Sequence, residues 1–118
     1  MFIPDKLAVM FLRNVVGQAV FSNEKMGKAT LVQGSQLFAG LNSFEPGQSH
    51  APHAHAGQDK LYYVLQGECE VQIGEETQSL SAGDAAFAPA GVIHGIRNTG
   101  EARLVVMAVL APPPPLAK

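Results

Sequence analysis

The chain has no tryptophan and a single cysteine, Cys69. With one thiol no intrachain disulfide can form, so the fold must rest on packing and hydrogen bonds, as suits a reducing compartment. Charge is also sparse. Asp, Glu, Lys and Arg make up 15% of the 118 residues, and the formal net charge is −2. Lys and Arg are nowhere clustered. That argues against a nucleic-acid partner, because phosphate binding needs a basic face. Long apolar runs are missing too. The longest, Leu104 to Ala111, falls far short of the ~20 residues that span a bilayer. The run Leu7 to Leu12 is bracketed by Asp5, Lys6 and Arg13, with no small-residue cleavage site after it, unlike a secretory leader. The expectation is a cytoplasmic protein with no membrane partner.

What the chain does have is turn chemistry. It carries 12 glycines and 8 prolines, and 47% of its residues are hydrophobic, enough to build one core in one domain over residues 1–118. The stretch Leu7 to Phe21 fits a short helix or two strands, and Val15, Val16 and Val20 tilt it toward strand. From Gly27 on, short strands alternate with turns: Ala29 to Gln33, Gln36 to Phe44, Leu61 to Leu65, Cys69 to Ile73, Thr77 to Leu80, Ala85 to Ala88, Gly95 to Asn98 and Arg103 to Leu110. Leu61 to Leu65 is apolar throughout, which suits a strand covered on both faces. Cys69, Val71 and Ile73 alternate with Glu68, Glu70 and Gln72, a strand with one wet face and Cys69 turned inward. Many short strands without a strong helix call for an all-β sandwich or barrel. Residues 112–118 form a proline-rich tail whose four prolines, Pro112 to Pro115, cannot join a ladder. There the chain leaves the sheet as polyproline II and terminates or braces the barrel.

The histidines are not scattered. His50, His53 and His55 follow the Pro46-Gly47 turn, and His94 follows Pro89-Ala90-Gly91. Residues i and i+2 of a strand share a face, so His53 and His55 present two imidazoles side by side. A third imidazole from a distant turn completes a facial set for one divalent transition metal (Zn, Fe, Ni, Mn or Cu), leaving positions open for water or substrate. A His-x-His pair alone is weak evidence of a metal. Here a wider frame surrounds it.

That frame resembles the cupin family at two places. The first cupin signature runs Gly, five residues, His-x-His, three or four residues, Glu, six residues, Gly; Gly47, His53, His55 and Gly67 fall in place. The second runs Gly, five residues, Pro-x-Gly, two residues, His, three residues, Asn; Gly83, Pro89, Gly91, His94 and Asn98 all match. The resemblance covers residues 47–98, with 15 residues, 68 to 82, between the two blocks. It implies a double-stranded β-helix, or jelly-roll, barrel, with His53, His55 and His94 as metal ligands. It also implies a homodimer, since small cupins commonly pair barrels through a sheet face. The motif glycines permit turns with positive φ, and Asn98 ties a turn with side-chain hydrogen bonds.

One position departs from the family. Lys60 stands where the resemblance places a glutamate, the usual fourth ligand. An ammonium has no lone pair to give. Pointed at a divalent ion from ~4 Å it would repel by roughly 8 kcal/mol at an effective dielectric of ~20. Three arrangements are open. Asp59, of the same parity as His53 and His55, or Gln58, through its carbonyl oxygen, takes the fourth position. Three histidines and water hold the ion. Or no metal binds, and Lys60 and the histidines form a polar pocket for an anionic ligand. Lys60, desolvated, is a candidate acid, base or nucleophile. Alternatively it lies at the rim, paired with Asp59 or Glu45. Tyr62 and Tyr63 share a strand leaving the site. One of them, with Tyr62 the candidate, faces the barrel, where its hydroxyl can orient substrate. His50 belongs at the rim or in support of the ligands.

The expected function is a small metal-binding cupin acting on a polar small metabolite, a sugar derivative or an organic acid, as an isomerase or dioxygenase. The alternative is a non-catalytic binding or sensing cupin, with or without metal.

Overall fold

A computed structural model describes residues 10–115. It contains a short 3-10 turn, η1 (Val15–Gln18), and nine strands: β1 (Gly27–Gln33), β2 (Phe38–Phe44), β3 (Ser49–His53), β4 (Asp59–Gln66), β5 (Glu68–Ile73), β6 (Glu76–Ser81), β7 (Ala85–Ala88), β8 (His94–Asn98) and β9 (Leu104–Ala111). Two antiparallel sheets face each other. One has the order β1-β2-β9-β4-β7 and the other β3-β8-β5-β6. This is the all-β architecture expected from the turn pattern, in the double-stranded β-helix form that the family resemblance implies.

The inner faces follow the period-two rule. Phe44, Tyr62, Val64, Leu104, Val106 and Ala108 from the first sheet meet Cys69, Val71 and Ile96 from the second, in one buried cluster. At about 25 cal/mol per Å² of apolar area, fully burying one such side chain contributes about 1.5–3 kcal/mol. A second apolar cluster lies on the outer face of the first sheet. Leu31, Ala39, Leu41 and Val105 are buried there under Val15, Val16, Ala19 and Phe21.

The N-terminal stretch corrects the expectation of strand. Residues 7–9 lie outside the described residues, and between residues 10 and 26 the only regular element is η1. Val15 and Val16 act as a plug on the outer sheet face rather than as rungs of a ladder. Strand β4 is also unlike its expectation. Lys60, Tyr62 and Val64 point inward and are buried, but Leu61 and Tyr63 point out and are 39% and 37% exposed. An unbroken apolar run here marks a strand with one buried face and one open apolar face.

The motif turns form as read. Gly47, Gly67, Gly83 and Gly91 have φ of 84°, 92°, 97° and 82°. Gly67 carries a second constraint: a Cβ there would stand 2.6 Å from the Arg103 carbonyl oxygen. Asn98, 1% exposed, donates from Nδ2 to the carbonyls of Phe44 (3.1 Å) and Ala102 (3.0 Å), and its Oδ1 accepts from Gly100 N (2.9 Å). This one amide stitches the end of β2 to the β8–β9 turn. Strand β9 ends at Ala111, so the prolines do leave the sheet; residues 116–118 of the tail lie outside the described residues.

Candidate metal centre

The two histidine blocks, far apart in sequence, meet through strand pairing. Strand β3 runs antiparallel to β8, and His53 sits directly opposite His94. His55 lies just beyond β3 in the following turn, so its placement comes from loop geometry rather than from strand alternation. Its carbonyl accepts a hydrogen bond from Gly91 N (3.0 Å), which ties the His-x-His segment to the turn delivering His94. The ring centroids of His53 and His94 are 4.5 Å apart, and those of His53 and His55 are 4.7 Å apart. One ligand atom from each of His53, His55 and His94 lies within 4.8 Å of the others.

Hydrogen bonds fix which nitrogens face inward. His53 Nδ1 donates to the Ala51 carbonyl (2.7 Å), and His94 Nδ1 donates to the Val92 carbonyl (3.1 Å). A neutral imidazole has one N–H, so Nε2 of each ring carries a lone pair. His94 Nε2 is buried and has no hydrogen-bond partner among the described residues, an orphan that a metal ion satisfies. His53 Nε2 stands 3.1 Å from His55 Nε2. Two nitrogens bound about 2.1 Å from one ion at right angles are about 3.0 Å apart, so this donor set fits a transition metal. Burial favours the neutral form of His94 and His55. It lowers His94 to about 4, against the raising effect of the Val92 carbonyl and helped by Lys60, and it lowers His55 as well, with His53 and Lys60 adding to the effect.

The structure does not bring the expected oxygen ligands to this group. Asp59 Oδ1 instead accepts from Ala90 N (2.9 Å), holding the Pro89-Ala90-Gly91 turn. Gln58 Nε2 donates to the Pro112 carbonyl (3.0 Å), tying the proline segment across the barrel mouth. Glu45 is committed to Arg103 (3.1 Å). Lys60 is therefore not a rim residue paired with Asp59 or Glu45. It is 4% exposed, with Nζ 4.8 Å from the centroid of the Tyr62 ring, a cation–π contact. Burial, with Lys28 adding repulsion, lowers its pKa to about 8.

A cavity of about 350 Å³ opens over the histidines. Its walls include His50, His53, His55, Lys60, Lys28 and Asn42, with Phe38, Ala108, Leu110 and Pro114 as apolar surface, and no carboxylate among the described residues lines it. Tyr62 is fully buried beneath, its ring 6.0 Å from His94, and it does not line the cavity. Burial raises its phenol far above the ordinary value, so it stays protonated. His50 does line the cavity, because β3 carries a bulge between His50 and His53. In a regular strand residues three apart face opposite ways; the extra residue turns both inward. The bulge fits because its neighbour is Gly95, where a Cβ would stand 3.0 Å from Pro52 N. His50 Nδ1 is buried without a partner among the described residues.

Sequence reasoning missed Lys28 and Asn42. They are directly opposed across β1 and β2. The available signal was Asn42, a polar residue at an inward position of β2, in register with Gly40 and Phe44.

Comparison with known proteins agrees with this architecture. The cupin domain family model matches residues 40–110. A crystal structure of a Thermus thermophilus protein superposes with a TM-score of 0.85 at 40% identity, covering 89% of this chain and 100% of that one. The oxalate-binding protein of Thermotoga maritima is 33% identical over 85 residues, 72% of this chain and 69% of that protein. An uncharacterized protein of Aquifex aeolicus is 41% identical over 64 residues, 54% of this chain, and the match spans only 52% of that relative's length. The fold, both signature blocks and the family match place the chain in the cupin family.

Proposed function

We propose that the chain is a metal-dependent cupin acting on a small organic acid, with a divalent transition ion held by His53, His55 and His94. The observation that carries this reading is the buried, unpartnered Nε2 of His94 grouped with the ligand atoms of His53 and His55, the latter two lining a cavity that no described carboxylate lines. Such an ion supplies Lewis acidity, or oxygen activation if it is iron. The chain's own residues supply the rest. Lys28 and Lys60 attract a carboxylate, and Phe38, Ala108 and Leu110 exclude water from it. The same two lysines favour an organic acid over a neutral sugar derivative, as does the name of the oxalate-binding relative.

Two measurements test it. Protein purified without chelator contains about one transition ion per chain by mass spectrometry, and His53→Ala and His94→Ala lose it. A metal content far below one per chain, unchanged in both variants, overturns the reading. A thermal-shift panel of carboxylates and neutral sugars then identifies the ligand class, and incubation followed by mass spectrometry shows turnover. A second reading, binding without catalysis, is favoured by the placement of Tyr62 outside the cavity. It predicts a carboxylate that stabilises the protein and is recovered unchanged.

We also propose that the barrel pairs as a homodimer through the outer face of the five-stranded sheet. Half of that face is sealed by the chain's own N-terminal turn. The other half leaves Leu61, Tyr63 and Phe87 exposed at 39%, 37% and 52%, with Leu61 directly opposite Phe87. A second copy presents the same uncharged apolar row to it.

A further inference from the structure

The cavity holds a charge imbalance that the described residues do not resolve. Its candidate ligands are imidazoles, which bring no negative charge, with Nδ1 of His53 and His94 already donating to backbone carbonyls. Two neighbouring carboxylates are committed elsewhere, Asp59 to Ala90 N and Glu45 to Arg103. No carboxylate among the described residues lines the cavity, but Lys28 and Lys60 both do. Lys60 is 4% exposed, and among the described residues it forms no salt bridge. The contact that stabilises its charge is with the Tyr62 ring. A divalent ion at the histidines and an ammonium in the same low-dielectric cavity each weaken the other. An anion between them reverses the sign for both.

We infer that a bound carboxylate and the metal ion bind cooperatively in this cavity, and that Lys60 is the residue that couples them. The carboxylate of a small organic acid supplies the negative charge missing from the protein's own donor set, with one side toward the histidine cluster and the other toward Lys60. Binding linkage is reciprocal. The factor by which the acid tightens the metal is the factor by which the metal tightens the acid. The cavity's volume of about 350 Å³ admits a small acid. Lys60 thus acts as a specificity-determining residue: it makes the metal site dependent on an anionic ligand and discriminates against neutral ones. This rests on the metal-centre reading above.

The test is calorimetric titration of Co²⁺ into the chelator-stripped full chain. Acetate is the probe, acetamide the neutral control, and sodium perchlorate holds ionic strength constant. Saturating acetate is expected to tighten Co²⁺ binding about tenfold, within the usual span of coupling between sites, and acetamide to leave it unchanged. Lys60→Met is expected to reduce the acetate effect to less than about twofold. Lys60→Glu is expected to bind Co²⁺ tightly without acetate and to ignore it. Far-UV circular dichroism establishes that both variants fold, and Lys60→Gln replaces either one that does not. Equal Co²⁺ affinity with and without acetate in the unaltered chain overturns the inference while leaving the metal centre standing. So does a full acetate effect in Lys60→Met. Absence of Co²⁺ binding under every condition overturns the metal centre itself.

Discussion

The Nε2 atoms of His53 and His55 stand 3.1 Å apart, while Nδ1 of His53 is already bonded to the Ala51 carbonyl. His53 therefore turns a lone pair toward His55. With no ion between them, His55 must donate its proton from Nε2; with an ion, both lone pairs converge on it. Chelation exchanges the second arrangement for the first and lowers stability. Adding Zn²⁺ to the stripped protein at a hundred times its dissociation constant is expected to restore about 2.7 kcal/mol, or a rise in Tm of about 10 °C. His55→Ala is expected to respond far less. Scanning calorimetry checks this, and an identical Tm with chelator and with Zn²⁺ would exclude a structural ion.

Stability without metal depends on pH through His50 and His94. Burial, followed by the neighbouring His53 in the case of His50, lowers His50 to about 4, and His94 is lowered to about 4 as well. Both groups have an ordinary value of 6.5, so between these limits the unfolded chain binds more protons than the folded one. Stability is then fully present above pH ~6.5 and falls as pH drops toward ~4. With solvent screening allowed for, the loss is on the order of 2 kcal/mol for the pair. Urea titrations of chelated protein at pH 7 and pH 5 measure it. His50→Gln is expected to remove about half of the slope, and an unchanged slope would show that His50 does not carry it.

Lys60 adds a burden of the same sign at higher pH. Its ammonium is buried with no carboxylate partner among the described residues, and its pKa is lowered from 10.5 to about 8. The unfolded chain binds the extra proton between those values, so stability rises with pH through that window and the penalty is fully present below pH ~8. Lys60→Met keeps the chain length and removes the charge. It is expected to stabilise the metal-free protein by about 1–3 kcal/mol at pH 7, with the gain shrinking as pH approaches 10.5. Urea unfolding at pH 7 and pH 10 reads this directly, and a destabilised variant at pH 7 would mean that the ammonium has a partner worth more than its desolvation.

The sequence exposed the fold and the ligand trio unevenly, for physical reasons. His94 and Asn98 were legible because their turns need particular residues: Gly83 and Gly91 adopt positive φ, and only a side-chain amide makes the three bonds of Asn98. The cavity-lining placement of His50 beside His53 could not be read from strand parity, which assumes a regular ladder. A bulge, accommodated by Gly95, breaks that parity. Asp59 shares odd parity with His53 and His55, but His55 has already left the strand, so parity does not carry across the turn and Asp59 caps the Pro89–Gly91 turn instead. The valines at positions 15 and 16 have strand propensity, but tertiary contact with the outer sheet face places them in a 3-10 turn. Local preference is weak against such burial.

The last prediction concerns that outer face. The pairing register places Leu61 between Val109 on β9 and Phe87 on β7, so three apolar side chains form one row across the sheet. Neighbouring Tyr63 lies between Met107 and Ala85 in a parallel row. The N-terminal turn covers the β1–β2–β9 side of this face and stops short of Phe87, which is 52% exposed. A dimer formed here buries both rows against their symmetry mates, and a charge placed in the row meets its own copy across the two-fold axis. Phe87→Glu combined with Leu61→Glu is expected to convert the dimer to monomer in light scattering coupled to size-exclusion chromatography. Because both positions are on the outer face, the metal content of the double variant should equal that of the unaltered chain. A monomeric unaltered chain, or a double variant that remains dimeric, would locate the association surface elsewhere or remove it.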